Sequence, residues 1–192
     1  MYIIGTSTLS EMILDFLDIL DIEIEGFFDD YRKEKTFKKY RVIGGCQELI
    51  DNSEKYNESK FFVAIGSNSG REKVSKVIKE KGLSLCNIIH KNSFIERSTT
   101  IGNGNLIMSN AYIGSNCKIG DGNLIFPGVS ITHHNIVDDY CFLSTNVSIG
   151  GYAHIQSFCK IGMNSVVKPY IQVKSGYNCG PLTLVDGEKM YG

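Results

Sequence analysis

The chain has 192 residues, of which 42% are hydrophobic and 21% charged, and its formal net charge is −1. This length suits one large domain or two small ones, and the near-neutral charge gives no electrostatic case for nucleic acid or an anionic membrane surface. No apolar run approaches the roughly 20 residues that span a bilayer, and the N-terminal stretch lacks the features of a signal peptide. We therefore expect a cytoplasmic protein with no nucleic-acid or membrane partner.

Six cysteines are scattered along the chain without any CxxC pair, at positions 46, 86, 117, 141, 159 and 179. This spacing argues against a zinc ribbon and against a disulfide framework. We interpret the cysteines as reduced and mostly buried, which also suits the cytoplasm.

The first 88 residues alternate short apolar runs with helical patterns. The strand-like runs are YIIG (2–5), EIEGFFDD (23–30), KYRVIGG (39–45), FFVAIG (61–66) and LCNIIH (85–90), and the helical patterns are SEMILDFLDIL (10–20), CQELIDN (46–52) and REKVSKVIKEKG (71–82). This order predicts an α/β domain over 1–88 with a small parallel sheet and crossover helices. Ligands of such sheets bind beyond the carboxyl ends of the strands.

From residue 89 an aliphatic residue recurs at every sixth place. The positions are Ile89, Ile95, Ile101, Ile107, Ile113, Ile119, Ile125, Ile131, Val137, Leu143, Ile149, Ile155, Ile161, Val167 and Val173. A helix needs a period of 3.6 and a plain strand a period of two, so neither explains this pattern. A period of six predicts a parallel β-helix over 89–175, in which all these side chains stack inside a triangular prism. Residues 176–192 would form a C-terminal tail.

Two adjacent histidines, His133 and His134, follow one of the inward positions. The register places Ile131 inside the prism, so we expect the imidazole of His133 to point outward, to solvent or to a neighbouring subunit. An exposed histidine with no role is the alternative at this point.

The whole chain resembles the bacterial acetyltransferases of sialic acids and of bacillosamine- or perosamine-type amino sugars. These have a segment like "I-E-H-D-C-V-I-G-D" followed by "H-I-S-P-x-x-x-x-x-G", where this chain has ITHHNIVDDYCFLSTNVSIGG (131–151). The resemblance implies a Rossmann-like α/β domain before a left-handed β-helix of hexapeptide repeats. It also implies a homotrimer with active sites between neighbouring prisms.

The same resemblance gives His133 and Gly151 their roles. His133 falls on the family's catalytic histidine, and an imidazole, with an ordinary pKa near 6.5, can accept a proton at neutral pH. General base catalysis of this kind gains about 10²–10⁴ in rate. Gly151 falls on a glycine whose backbone faces the acetyl thioester, where its N–H could stabilise an oxyanion. We expect direct transfer from acetyl-CoA without an acyl-enzyme.

Two departures from the family pattern concern this segment. His134 is the second candidate catalytic residue and stands where the family has an acidic residue after its catalytic histidine. The partner of His133 is therefore open, with Asp138 and Asp139 as candidates. A second family histidine, near the cofactor, is replaced by Phe142.

A zinc site of the type found in hexapeptide carbonic anhydrases is an alternative reading of the histidines. His133, His134 and His154 supply three ligands, but adjacent residues on a strand point to opposite faces and would not converge on one ion. His154 follows His133 by one coil plus three residues, so we expect it to be structural. We expect no metal.

Three segments of the first domain match nucleotide-facing turns of the family. The family's "G-A-G-G-H-G" is here GTSTLS (5–10), in which backbone N–H groups and hydroxyls could hold phosphate; the alternative is a helix start with Ser10 as N-cap. FFDD (27–30) corresponds to an acidic pair near the base or ribose, and AIGSN (64–68) to the next turn. The implied substrate-binding residues are Gly5, Thr6, Ser7, Asp29, Asp30, Gly66, Ser67 and Asn68. Arg71 either pairs with phosphate or is a solvated surface group.

The segment KSGYNCGPLTLVDGEKMYG (174–192) loosely resembles the family's "V-V-G-N-P-A-K", which lies near the adenine of coenzyme A. The resemblance implies coenzyme A contacts at Phe142, Gly162 and Gly180, besides Gly151.

Together these observations predict an acetyl-CoA-dependent acetyltransferase that acts on an amino or hydroxyl group of a UDP- or TDP-linked sugar for a bacterial surface glycan. One alternative is O-acetylation of sialic acid or acylation of another small acceptor such as serine. Another is a non-catalytic β-helix scaffold or nucleotide-sensing module.

Overall fold

The computed structural model describes residues 1–17 and 20–189. The chain forms two compact units, Met1–Cys86 and Asn87–Gly192. The predicted strand over 85–90 is divided between them. Within the described ranges, no helix is long and apolar enough to cross a bilayer.

The first unit contains a six-stranded sheet with helices. Its strands are β1 (Tyr2–Ile4), β2 (Gly26–Phe28), β3 (Thr36–Phe37), β4 (Tyr40–Gly44), β5 (Lys60–Val63) and β6 (Ser84–Leu85), in the order β3-β4-β2-β1-β5-β6. All neighbours pair in parallel except β3 and β4, which form a hairpin that the sequence analysis missed. The helices are α1 (Thr8–Leu17), α2 (Cys46–Asp51) and α3 (Asn68–Glu80), with a 3₁₀ turn at Ser53–Tyr56. The predicted helix over 10–20 starts two residues earlier, and its positions 18 and 19 lie outside the described residues.

The central strands of this sheet are buried on both faces, as is usual for parallel sheets. Ile4, Phe28 and Val63 are paired across β1, β2 and β5 and have at most 2% of their surface exposed. Their equal register brings the carboxyl ends of these three strands to the same edge. Gly5, Asp29 and Ala64 follow directly, so this edge is where the predicted nucleotide-facing turns meet.

The second unit is a parallel β-helix with three faces. Face 1 contains β7 (Ile88–Ile89), β10 (Leu106–Ile107), β13 (Leu124–Ile125), β16 (Phe142–Leu143) and β19 (Lys160–Ile161); face 2 contains β8 (Phe94–Ile95), β11 (Tyr112–Ile113), β14 (Ser130–Ile131), β17 (Ser148–Ile149), β20 (Val166–Val167) and β22 (Leu184–Val185); face 3 contains β9 (Thr100–Ile101), β12 (Lys118–Ile119), β15 (Ile136–Val137), β18 (His154–Ile155), β21 (Ile171–Val173) and β23 (Glu188–Lys189). The chain passes from face 1 to 2 to 3 and back. Each strand pairs with the strand eighteen residues later, as Ile113 does with Ile131. We name the turns between faces corner 1–2, corner 2–3 and corner 3–1.

The aliphatic repeat fills the interior of this prism. Every sixth residue from Ile107 to Val173 is buried in one core cluster. The expectation that the repeat is interior from its start is wrong for Ile89, which is 36% exposed, because it lies in the first coil and no earlier coil of this unit stacks on it. The repeat also continues further than predicted, since Cys179 and Val185 pack into the same core. Residues 176–185 therefore extend the β-helix, and β23 folds back antiparallel to β21.

The corners repeat a left-handed backbone conformation once per coil. The residues with positive φ are Asn110, Gly128, Asn146, Asn164 and Leu182 at corner 1–2; Asn116, His134, Tyr152 and Tyr170 at corner 2–3; and Gly104, Gly122, Tyr140, Phe158 and Gly176 at corner 3–1. Asparagine and glycine visit this region readily, whereas it costs other L-residues about 1–2 kcal/mol. Histidine and tyrosine at corner 2–3 therefore need compensating contacts along the column.

A ladder of buried asparagines supports corner 3–1. The Asn105 N–H donates to Asn87 Oδ1 at 2.8 Å, and Asn105 Oδ1 accepts from the Asn123 N–H at 2.8 Å. Asn105 Nδ2 also donates to the Gly120 carbonyl at 2.9 Å. These bonds satisfy backbone groups at a bend where the strand ladder is interrupted.

Asn105→Leu should lower the midpoint of thermal unfolding. The substitution leaves the Asn123 N–H and the Gly120 carbonyl buried without partners, at about 1–3 kcal/mol each. Asn103→Leu, at an exposed position in the same turn, is the control and should change the midpoint little. Equal midpoints for the two variants would contradict the ladder's role.

Candidate active site

The two histidines lie in corner 2–3, between β14 and β15, with both side chains exposed. Their rings contact edge to face, with centroids 5.4 Å apart, and the two Nδ1 atoms are 3.3 Å apart. The expectation that they point to opposite faces is wrong. That expectation assumed a strand, whereas the pair lies in a turn and His134 has a φ of +57°.

His133 packs on Gly151, which occupies the same place one coil later. A Cβ on residue 151 would lie 2.9 Å from Nε2 of His133, so only glycine leaves room for the ring. The Tyr152 N–H donates to the His133 carbonyl at 3.2 Å and fixes the two turns together. The two residues that the sequence paired are therefore in contact, with the imidazole against the glycine backbone.

His134 belongs to a column of stacked side chains along corner 2–3. Its ring stacks on Tyr152, with centroids 4.7 Å apart and planes 17° apart, and Tyr152 stacks on Tyr170 at 5.2 Å. On the other side, the Asn116 amide nitrogen is 3.3 Å from His134 Nε2. Asn116, Tyr152 and Tyr170 were not predicted as part of this site, although with His134 they recur at intervals of eighteen residues, which was a usable signal.

Both carboxylates proposed as partners of His133 are engaged elsewhere. Asp138 Oδ2 is 2.9 Å from His154 Nε2, and Asp139 Oδ1 accepts from the Asp121 N–H at 2.7 Å. The expectation that one of them orients His133 is wrong, and His154 has a carboxylate partner of its own. Among residues 1–17 and 20–189, no cluster of three or more histidine, cysteine or acidic side chains is arranged to hold a metal ion.

Apart from Gly151, which lies against His133, the residues expected to contact coenzyme A are at a second place on the prism. Gly162, in corner 1–2, is pressed against the Gly180 carbonyl, where a Cβ would collide with it. Both glycines line a groove of about 410 Å³ together with Lys160. Phe142 lies on face 1 beside this groove, with the Lys160 ammonium 5.6 Å from its ring centroid. Within one chain, this groove and His133 are therefore on opposite edges of face 2.

The first unit has a cavity of about 410 Å³ at the carboxyl ends of β1, β2 and β5. It gathers most of the predicted substrate-binding residues: Gly5, Thr6, Ser7, Asp29, Asp30 and Gly66, with Tyr31 and Lys73 on its wall. Ser67 and Asn68 do not line it. Ser67 is instead the N-cap of α3 and accepts from the Gly70 N–H at 3.3 Å.

Asp29 organises the first turn of this cavity. Its Oδ2 accepts from both the N–H and the hydroxyl of Thr6, each at 2.7 Å, and its Oδ1 accepts from the N–H groups of Tyr31 and Arg32. Burial raises the pKa of Asp29, but these hydrogen bonds outweigh burial and hold it below the usual range. The two Thr6 donors that were expected to face a phosphate are thus engaged with Asp29.

Two side chains near the cavity differ from their expected roles. Arg71 is fully buried rather than solvated, and its guanidinium donates to the Ile65 and Gly66 carbonyls and to Asn68 Oδ1. It holds the turn before α3 in place. Ser10 is not an N-cap, because α1 begins at Thr8; its hydroxyl donates to the Gly5 carbonyl at 2.7 Å.

Family models match both halves of the chain. Residues 1–78 match the PglD N-terminal domain, and residues 98–133 match the bacterial transferase hexapeptide (six repeats). The chain thus joins a PglD N-terminal domain to a hexapeptide-repeat β-helix. This confirms the resemblance and the fold class predicted from the sequence, including the left-handed β-helix.

Solved structures with this fold include three proteins of bacterial origin. The acetyltransferase domain of PglB from Neisseria gonorrhoeae, in complex with acetyl coenzyme A, has a TM-score of 0.89 at 22% identity, over 98% of this chain and 91% of that chain. A variant of perosamine N-acetyltransferase from Caulobacter crescentus, in complex with CoA and GDP-perosamine, has a TM-score of 0.69 at 23% identity, over 92% and 89%. WeeI from Acinetobacter baumannii has a TM-score of 0.52 at 17% identity, over 96% and 95%. At sequence identities of 17–23%, the structural similarity to these three proteins establishes the fold of the chain.

One curated relative matches by sequence. It is an uncharacterised protein of Acanthamoeba polyphaga mimivirus, 32% identical over 104 residues, which are 54% of this chain and 20% of that protein. The match thus spans about a fifth of the relative's length.

Asp29→Asn should destabilise the first unit at neutral pH and have little effect in acid. Because the folded pKa of Asp29 is lowered, its stabilisation is full above the ordinary value of about 3.9 and is lost as the pH falls through the folded value. Unfolding midpoints of wild type and variant should therefore converge as the pH falls below the ordinary pKa of the carboxyl and through its lowered folded value. Glu58→Gln, at an exposed carboxylate of the same unit, is the control. A midpoint difference that persists in acid would contradict this account of Asp29.

Proposed function

We propose that this protein is an acetyl-CoA-dependent acetyltransferase that acetylates the amino group of a nucleotide-linked sugar. The observation that carries the proposal is the contact between the exposed His133 ring and the Gly151 backbone at one corner of a hexapeptide prism. The domain order adds support, since PglB and perosamine N-acetyltransferase share this fold and were solved with acetyl coenzyme A or with CoA and GDP-perosamine.

Nε2 of His133 is the nitrogen suited to act as base. Nδ1 faces His134, whereas Nε2 has no hydrogen-bond partner among the described residues. In the proposed reaction the sugar amine attacks the thioester carbonyl, and Nε2 takes the proton that the amine loses. The C–S bond then breaks, and the proton passes from His133 to the thiolate of coenzyme A. The products are an N-acetyl sugar and the free thiol.

The backbone of Gly151 supplies a donor next to this base. Its N–H makes no hydrogen bond to any residue in the described ranges. A free N–H beside the base suits an oxyanion that develops on the attacked carbonyl. The absence of a side chain at 151 keeps this donor accessible and lets the imidazole pack above it.

The groove at Gly162 and Gly180 is the proposed seat of coenzyme A. A Cβ on Gly180 would meet no atom within 4 Å, so a ligand in the groove can approach its bare backbone, and the exposed Lys160 ammonium offers a counter-charge for phosphate. The bound donor supplies the activated acetyl group, and these residues position it.

We further propose a homotrimer with each active site shared between two copies. Within one chain, the groove and His133 lie on opposite edges of face 2, so one ligand reaches both most simply where two copies meet. Phe94 and Leu184, both on face 2 and about 60% exposed, provide apolar surface for such contact.

The acceptor's nucleotide is proposed to occupy the cavity of the first unit, with Asp29 and Asp30 at its wall. The reaction would take place in the cytoplasm for the synthesis of a surface glycan. None of the six cysteines, all of which lie within the described ranges, forms a disulfide, which suits a reducing compartment.

His133→Ala should lower kcat at least about a hundredfold, because the amine then loses its proton acceptor. The assay uses acetyl-CoA with UDP-, TDP- and GDP-linked 4-amino sugars and detects N-acetyl product by mass spectrometry. Thermal stabilisation by coenzyme A should be the same for variant and wild type, which shows that binding survives. A loss of less than tenfold would overturn the base assignment. Absence of transfer to any of these sugars would overturn the acceptor.

Mixing two inactive variants tests the shared site. His133→Ala and Gly180→Leu, which fills the groove at a position where a Cβ meets no other atom within 4 Å, should each be inactive alone. Co-assembled trimers should regain about a quarter of wild-type activity, since that share of seams has both edges intact under random assembly. No regain in trimers shown by native mass spectrometry to be mixed would place each site within one chain.

A further inference from the structure

The residue that follows the proposed base His133 is a second histidine, His134, where the family pattern has an acidic residue. A histidine base needs a group on its second nitrogen to fix its tautomer and orientation. Here the Nδ1 atoms of His133 and His134 are 3.3 Å apart, and the two nearby carboxylates, Asp138 and Asp139, have other partners. His134 is therefore the side chain that faces Nδ1 of His133.

The ring of His134 is held on both sides. Tyr152 covers one face at 4.7 Å and is itself backed by Tyr170. The amide of Asn116 lies 3.3 Å from Nε2 of His134. The left-handed backbone at both Asn116 and His134 stacks these side chains one coil apart. His134 thus has little freedom to turn away from His133.

Two proton arrangements fit this chain of contacts. If the Asn116 N–H donates to His134 Nε2, then His134 Nδ1 carries a proton and donates to His133 Nδ1. His133 then has its own proton on Nε2, where it cannot act as base. If the Asn116 amide turns by half a rotation, its oxygen accepts from His134 Nε2–H. His134 Nδ1 then accepts from His133 Nδ1–H, and Nε2 of His133 is left with its lone pair.

We propose that His134 is a positioning residue that accepts the Nδ1–H of His133, in the second of these arrangements, and that Asn116 sets this state through its side-chain oxygen. The inference rests on the proposed function, because it assigns how the base of that reaction is prepared. When the substrate amine gives its proton to Nε2, the positive charge that forms on His133 is stabilised by the His134 lone pair. No proton needs to leave Nδ1, and His134 stays neutral throughout.

The variants are chosen to keep the left-handed backbone. His134→Gly removes the acceptor without backbone strain, whereas His134→Asp restores an acceptor, and glycine and aspartate both tolerate positive φ. Asn116→Asp leaves only acceptor oxygens beside His134. Phe158→Gly is the matched control: Phe158 also has a positive φ and stacks on an aromatic ring, Tyr140, but lies at corner 3–1.

Two readouts decide the proposal. Long-range ¹H–¹⁵N spectra of histidine-labelled protein, recorded without substrate, report which ring nitrogen is protonated. We expect Nδ1–H at His133 in the wild type and in Asn116→Asp, and a shift to Nε2–H in His134→Gly. In the transfer assay His134→Gly should lower kcat about tenfold to a hundredfold with little change in KM for acetyl-CoA, because the wrong tautomer lacks a basic nitrogen. His134→Asp should recover most of this loss, and the control Phe158→Gly should stay within about threefold of wild type.

The outcomes separate this inference from the proposed function. If the wild type transfers acetyl and His134→Gly is equally active, the inference is overturned and the proposed function stands. The same holds if the wild type transfers acetyl and the spectra place the proton of His133 on Nε2. An Asn116→Asp variant as impaired as His134→Gly overturns the role of the amide oxygen. A wild type without transferase activity overturns the proposed function, and the spectra then still decide whether His134 fixes the tautomer.

Discussion

The parallel pairing of each residue with the one eighteen places later governs the second unit. Backbone hydrogen bonds such as Gly114 N–H to Ile131 O, at 2.8 Å, lock successive coils at the spacing of neighbouring strands, about 4.8 Å. Every position in the repeat therefore becomes a column. Inward columns make the core, and corner columns bring side chains into contact that are far apart in the sequence. The candidate active site is formed by two such columns, which lie side by side at corner 2–3.

This constraint explains how an exposed side chain can be well positioned. A histidine at a surface turn would ordinarily sample several rotamers. Here His133 is confined by Gly151 one coil later and by His134 beside it. The energetic cost of the positive φ at His134 is offset by stacking of its ring on Tyr152. The side chains at this corner are therefore held in place by contacts between coils. A site needs this kind of support if it is to hold a base in one geometry.

The turns of the first unit are also held in place, but by hydrogen bonds from side chains and not by contacts between stacked coils. Its parallel strands end at one edge, and the turns beyond them are fixed by side chains bonded to backbone groups. Asp29 gathers the N–H groups of residues 6, 31 and 32, and Arg71 gathers the carbonyls of residues 65 and 66. These side-chain hydrogen bonds hold the turns around the cavity in a defined conformation.

The sequence by itself determined the features that follow from periodicity. The period of six determined the prism and its core, and the strand–helix order determined the parallel sheet. The resemblance of residues 131–151 to the acetyltransferase family singled out His133 and Gly151. Only the tertiary structure decided which polar groups are partners, because this depends on turn conformation and burial. Asp138 meets His154 at a spacing of sixteen rather than eighteen, and Arg71 is buried although its helix is charged. The extension to Val185 was missed because a cysteine, a small apolar side chain in this core, replaces the aliphatic residue at 179.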